Sequence, residues 1–229
     1  MEISMWQFDN EEYRKKAVLE DILIGMVYRL SLKFTFHGGT CIWRCHNGNR
    51  FSRDIDLYYD LGNDDRSEFT KRVVKLLRDN GISVKEQGYN RDTDTLSIIV
   101  ETNTKCKLDI NFKYREGKAI DYAMVDGSLI KVIGLSADEL IDEKIGVLLQ
   151  KTAANRSEIQ DLYDIWILKD KAKMSAGVRK RLLEVVTASR ERPPANAGSL
   201  NALILSGVAP ALEQILDDIR RVADAHKKD

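Results

Sequence analysis

Phe34-Thr35-Phe36-His37-Gly38-Gly39-Thr40 and, after a short connection, Phe51-Ser52-Arg53-Asp54-Ile55-Asp56-Leu57-Tyr58-Tyr59-Asp60 organise the rest of the chain. The first piece reads as a short strand, Phe34 to His37, that runs into two glycines. Without a Cβ, Gly38 and Gly39 let the backbone turn sharply and approach a ligand closely. Thr40 brings a hydroxyl and a backbone N–H to the start of a helix, a natural place for phosphate oxygens. The second piece reads as a returning strand. Side chains alternate across a strand, so Asp54 and Asp56 share one face while Ile55 and Leu57 share the other. At about 5 Å and an effective dielectric of about 20, two carboxylates repel by roughly 3 kcal/mol. A core does not choose that arrangement. A divalent cation relieves it, and Mg²⁺ takes one or two carboxylates together with substrate phosphates.

A third carboxylate stands on Lys105-Cys106-Lys107-Leu108-Asp109-Ile110-Asn111-Phe112-Lys113. In this strand Leu108, Ile110 and Phe112 face one way, and Lys107, Asp109, Asn111 and Lys113 the other. Pairing of this strand beside Asp54 and Asp56 would converge three acids, the arrangement of a two-metal phosphoryl-transfer site. The motif His37-Gly38-Gly39-Thr40 followed by Arg50-Phe51-Ser52-Arg53-Asp54-Ile55-Asp56-Leu57 resembles the AbiEii/AbiGii (MenT-like) nucleotidyltransferase toxins of the polymerase-β-like superfamily.

Working outward, 229 residues suffice for one large domain or two small ones. Lys plus Arg number 36 and Asp plus Glu 36, so no global basic field announces nucleic acid and any such partner needs a local patch. Three cysteines without framework spacing fit a reducing, cytoplasmic setting. The first ten residues lack the basic and apolar segments of a signal peptide. No apolar run approaches a membrane span. Asp9 or Asn10 is placed to cap a helix running to about Leu30, with Ala17, Leu19, Ile22, Leu23, Ile24, Val27 and Leu30 as its broad apolar stripe. Between the two motif pieces, His37, Cys41, Cys45 and His46 are metal-ligand types whose spacing matches no common zinc pattern. Buried structural cysteines are the plainer reading. His37 stands where it could touch a nucleotide or serve simply as a strand residue.

Residues 64–80 read as a helix stopped by Asn80-Gly81. Ile82 to Glu86, Thr95 to Glu101 and Cys106 to Tyr114 read as strands, Arg91 to Asp94 as a hairpin loop, and Asp121 to Gly127 as a polar connection. From Ser136 the pattern turns helical. Ser136 and Glu139 form a capping box, and the helix it opens carries Lys144 and, one heptad on, Lys151. Ser157 to Gln160 opens the next helix, on which Asp161 and Asp164 are neighbours three residues apart. The run Lys169 to Arg192 holds eight basic residues against three acids, either a solvated helix face or a local RNA-binding patch. Leu200 to Ser206 and Ala211 to Val222 read as short amphipathic helices.

The resemblance extends over roughly residues 34–168. Glu143-Lys144-Ile145-Gly146-Val147-Leu148 and Gln160-Asp161-Leu162-Tyr163-Asp164 match the family's second motif pair, although Gln160 replaces its usual Arg. The segment Cys41 to Asn49 is also unusual for it. The resemblance implies an α+β, polymerase-β-like catalytic domain over residues 1–133, a small mixed sheet flanked by helices. A helical domain over 134–229 is expected to complete the active site. It implies catalytic roles for Asp54, Asp56, Asp109, Lys144 and Asp161, with Mg²⁺ (or Mn²⁺) on Asp54, Asp56 and Asp109. NTP would be held by Gly38, Gly39, Thr40, Arg50, Ser52 and Lys144. The implied reaction moves a nucleoside monophosphate to an acceptor hydroxyl, an RNA and specifically a tRNA 3′ end. The implied setting is a type IV-like toxin–antitoxin or phage-defence system with a winged-helix repressor as antitoxin. A protein or small-molecule acceptor, a glycosyltransferase using Asp-x-Asp, and a non-catalytic nucleotide- or RNA-binding module are the competing readings.

Overall fold

The computed structural model describes residues 8, 10–150 and 158–225. The chain divides into two compact units. One contains the residues up to Cys45 and Phe51–Leu135, the other His46–Arg50 and the residues from Ser136 on. A five-residue piece, His46–Arg50, that lies in sequence within the first unit clusters with the second.

The first unit opens with helix α1 (Glu11–Leu30). Asn10 caps it, its side-chain oxygen accepting from Glu12 N; Asp9 lies outside the described residues. Strand β1 (Phe34–His37) leads directly into helix α2 (Gly38–Cys45), and strand β2 (Asp54–Tyr59) returns beside β1. Helix α3 (Arg66–Asp79) is capped by Asp65 and ends at Gly81, whose φ of +76° is the left-handed stop expected there. Strands β3 (Ser83–Asn90), β4 (Thr95–Glu101) and β5 (Lys105–Asn111) follow, then β6 (Lys118–Ala123) and β7 (Leu129–Gly134). The sheet has seven strands in the order β3-β4-β5-β2-β1-β7-β6. It is mixed: β2–β5 and β1–β7 are parallel, the other pairs antiparallel.

Two expectations need correction here. β3 runs to Asn90 rather than Glu86, and the polar stretch from Asp121 is half strand: β6 and β7 form a hairpin that turns at Gly127. The reason is the same in both. β3 and β6 are the edge strands, so most of their side chains meet solvent and carry little apolar alternation. β2 and β5 alternate cleanly, and Phe34, Phe36, Ile55, Leu57, Leu108 and Ile110 are wholly buried on one face of the central strands, although Thr35 on the other face of β1 is buried as well.

In the second unit helix α4 (Ala137–Leu149) begins with the expected capping box of Ser136 and Glu139. Helix α5 (Glu158–Leu168), helix α6 (Ala176–Glu191), a 3-10 turn over Ala197–Leu203 and helix α7 (Leu212–Asp224) complete it. Lys151 and Ser157, both singled out from the sequence, lie outside the described residues. Arg50 pairs with Ile204 in an isolated bridge, and the Asn49 side chain donates to Ser206 O, which tie the 46–50 piece to this unit.

Candidate active site

The sheet register decides which side chains meet in the first unit. β2 and β5 run parallel with Asp54 opposite Lys107 and Asp56 opposite Asp109. β1 runs antiparallel to β2 with His37 opposite Asp56. Strand neighbours lie about 4.8 Å apart, so Asp109, Asp56 and His37 form one row across three strands. Asp54 stands beside that row, two residues before Asp56 on the same face.

The turn over this row is shaped around the acids. Gly38 has φ +74°, and a Cβ there would stand 2.1 Å from Asp56 Oδ2. Glycine is therefore required twice, for its backbone conformation and for the space Asp56 occupies. The Thr40 hydroxyl, expected to face phosphate, is wholly buried and donates instead to the Asp54 carbonyl oxygen at 2.6 Å. Its hydroxyl positions the strand end that carries Asp54. Gly39 is buried in the first turn of α2, and Ser52 is 9% exposed just ahead of β2.

Asp109 already has partners. Ser97 Oγ donates to its Oδ1 at 2.6 Å, and Lys107 Nζ lies 2.6 Å from its Oδ2. Asp54 has its pKa raised, by desolvation first and by the Asp109 charge as well, against the lowering fields of Lys16 and Lys107. Among the described residues no three His, Cys, Asp or Glu side chains are gathered tightly enough to hold a metal ion by themselves. The donor set nevertheless fits a hard divalent cation. It is all oxygen, it sits on one face, and Mg²⁺ needs only one or two carboxylates beside substrate phosphates.

The other predicted residues meet in the second unit. Arg50 grips Asp164 with two hydrogen bonds, Nε to Oδ1 at 2.6 Å and a terminal nitrogen to Oδ2 at 2.5 Å. Lys144 Nζ lies 2.6 Å from Asp161 Oδ1 and 2.7 Å from Asp164 Oδ2. Two cations and two carboxylates thus close on one another with little exposure. Burial alone would raise the Asp164 pKa, but Arg50 and Lys144 overcome it and hold the group below its ordinary value. The same acids keep Arg50 and Lys144 charged despite burial. Asp164, at the centre, stands out in the sequence through its i, i+3 spacing to Asp161 and as the last residue of the Gln160–Asp164 motif, but neither gives it a site role. Lys107 was visible only as a strand neighbour of Asp109, and Ser97 carried no signal. Among the described residues the zinc set does not assemble: no three metal-ligand side chains are gathered, Cys41 and Cys106 are buried and Cys45 is partly buried.

Comparison with known proteins bears on the fold and the family. A family model described as "Nucleotidyl transferase AbiEii toxin, Type IV TA system" matches residues 25–228. No curated protein sequence matches the chain. Among solved structures, a Helicobacter pylori putative nucleotidyltransferase is similar with a TM-score of 0.69 at 17% identity, covering 96% of each chain. JHP933 from H. pylori is similar at 0.67 and 17%, covering 96% of this chain and 94% of its own. The nucleotidyltransferase toxin MenT4 of Mycobacterium tuberculosis H37Rv follows at 0.58 and 16%, covering 93% and 83%. The fold is that of the polymerase-β-like nucleotidyltransferases, and with the family model spanning most of its length the chain belongs to the AbiEii family of nucleotidyltransferase toxins.

Proposed function

We propose that the chain moves a nucleoside monophosphate from an NTP to the terminal hydroxyl of an RNA, a tRNA 3′ end, and acts as the toxin of a pair whose antitoxin is a winged-helix repressor. The observation that carries the reading is the row Asp109–Asp56 with Asp54 beside it, under a glycine turn built to the outline of Asp56. Asp54, Asp56 and Asp109 would hold Mg²⁺, which supplies charge neutralisation at the phosphates and lowers the pKa of a bound hydroxyl. The residues themselves set the geometry. Thr40 fixes the Asp54 backbone, Gly38 leaves room for the Asp56 carboxylate, and Ser97 and Lys107 orient Asp109. Asp109 is the group placed to accept the acceptor's proton as that oxygen attacks the α-phosphorus. The bond to the β-phosphate oxygen breaks, and pyrophosphate leaves. The backbone at Gly39 and Thr40, at the start of α2, is a place for phosphate oxygens. Lys173, Lys180 and Arg192 support an RNA acceptor: all three are exposed and, among the described residues, have no carboxylate partner.

The test is label transfer with Mg²⁺, total tRNA and each α-labelled NTP, beside Asp54→Ala and Asp56→Ala. RNA labelled by the wild type and by neither variant is the expected result. Label on protein instead would replace RNA with a protein acceptor, and no label at all would reject the transferase reading with these acceptors.

A further inference from the structure

Two aromatic rings stand on the carboxylate face where the reaction above has no use for them. His37 is the register partner of Asp56, and Tyr58 follows Asp56 by two residues on the same strand. Both therefore project on the side of Asp54 and Asp56. They are diagonal neighbours across β1 and β2, a spacing that aromatic side chains bridge. Their rings are stacked, with centroids 3.9 Å apart and planes within 12°. The opposite face of the same strands shows what core aromatics look like here: Phe34, Phe36 and Tyr59 are at most 2% exposed. His37 and Tyr58 are only half-buried. The pair is thus a flat π surface, fixed by its own stacking, at the edge of a row of phosphate-directed acids. The nearest partners along that face are short and polar: Thr35 and Asn111 flank Tyr58 in register.

We infer that the His37–Tyr58 stack is a platform for a nucleobase held beside the carboxylates. The inference rests on the nucleotidyl-transfer reading and adds the part of the substrate that the acids do not read. Every base has a π face, so such a platform adds affinity without selecting sequence by hydrogen bonds. Because the two rings are already parallel, little ordering is left to do on binding. The base has two sources with the same chemistry, the incoming NTP and the 3′ nucleotide of the acceptor RNA.

The experiment compares wild type with Tyr58→Leu and Tyr58→Phe. Calorimetry measures the affinity of Mg-NTP and of Mg-tripolyphosphate, which has the phosphates without a base. Steady-state kinetics measure KM for the RNA. Tyr58→Leu is expected to lose about tenfold, equal to about 1.4 kcal/mol, in one of two quantities. A loss in NTP affinity assigns the platform to the nucleotide, and a loss in RNA KM assigns it to the acceptor. In either case tripolyphosphate affinity stays unchanged and Tyr58→Phe restores the loss. A Tyr58→Leu protein that matches wild type in both quantities overturns the platform, as does one that loses tripolyphosphate equally. Label transfer by wild type with an unaffected Tyr58→Leu rejects the platform and leaves the transferase reading standing. Base-dependent NTP binding lost in Tyr58→Leu, with no label transfer by wild type, does the reverse.

Discussion

At the scale of single residues, Gly38 is, among the described glycines, the one where an added Cβ would meet the closest atom. Its φ of +74° is strained for any side chain, and a methyl group would meet Asp56 Oδ2 at 2.1 Å. Strain of this kind costs on the order of 1–3 kcal/mol, and an Asp56 carboxylate pushed about 1 Å aside costs roughly 100-fold in rate. Gly38→Ala is therefore expected to lower kcat about 100-fold while shifting thermal unfolding by only a few degrees. Activity equal to wild type would show that Asp56 need not stand where the turn allows it. Glu20 on α1 behaves in the opposite sense. It is wholly buried, neither oxygen has a hydrogen-bond partner among the described residues, and desolvation raises its pKa well above the ordinary range despite the fields of Arg44 and Lys16. On unfolding the carboxyl ionises from about its ordinary value of 4.5 upward, whereas the folded state keeps the proton longer. Stability therefore falls as pH rises from there toward the folded pKa. Glu20→Gln is expected to match wild type near pH 4 and to unfold at higher temperature near pH 8, as a melting series across pH would show.

At the scale of elements, α5 carries the acid on which Arg50 and Lys144 converge. Asp164→Ala would leave both buried cations facing Asp161 alone. Removing one member of a buried pair costs about 3–5 kcal/mol, so denaturant titration should find the variant far less stable, while Lys173→Ala, on an exposed residue, should be near neutral. The pH sign follows from the lowered pKa of Asp164. Its contribution is fully present above the unfolded value near 3.8 and is lost as pH falls through the folded value. This level is also where sequence reading succeeded and failed. The central strands and α1 were legible because burial on one face imposes a period. β6 was not, because an edge strand with Lys118, Ala119 and Asp121 exposed shows no such period and is defined by its partner β7. The acids Asp54, Asp56 and Asp109 could be placed on one face from alternation alone. What could not be read was where partners come from: Thr40 donates to a carbonyl 14 residues on, and Arg50 reaches a carboxylate 114 residues away.

At the scale of the whole molecule, charge is balanced, with 36 basic and 36 acidic side chains. No long-range field then steers a polyanion toward the protein, and under the proposed reading any affinity for RNA would come from local patches. On α6 much of the basic run is already neutralised, Arg181 by Asp142 and Arg190 by Asp217. The exposed Lys171 donates to the His46 carbonyl, while Lys173, Lys180 and Arg192 are exposed without a carboxylate partner among the described residues. Replacing these three with Ala is expected to raise KM for RNA several-fold and to flatten its salt dependence by up to about 0.7 in log–log slope for each phosphate no longer neutralised. KM for the NTP should not move. An unchanged salt slope would remove this face from the RNA-binding surface.

The five residues His46–Arg50 have a consequence for how the protein can be cut. They are encoded in the middle of the first unit yet fold with the second. A fragment beginning at Ser136 would contain every helix of the second unit and still lack the guanidinium that meets Asp164. Neither unit is a contiguous gene segment. Recombination at the apparent seam would deliver half of an ion pair, the Asp164 carboxylate without the Arg50 guanidinium.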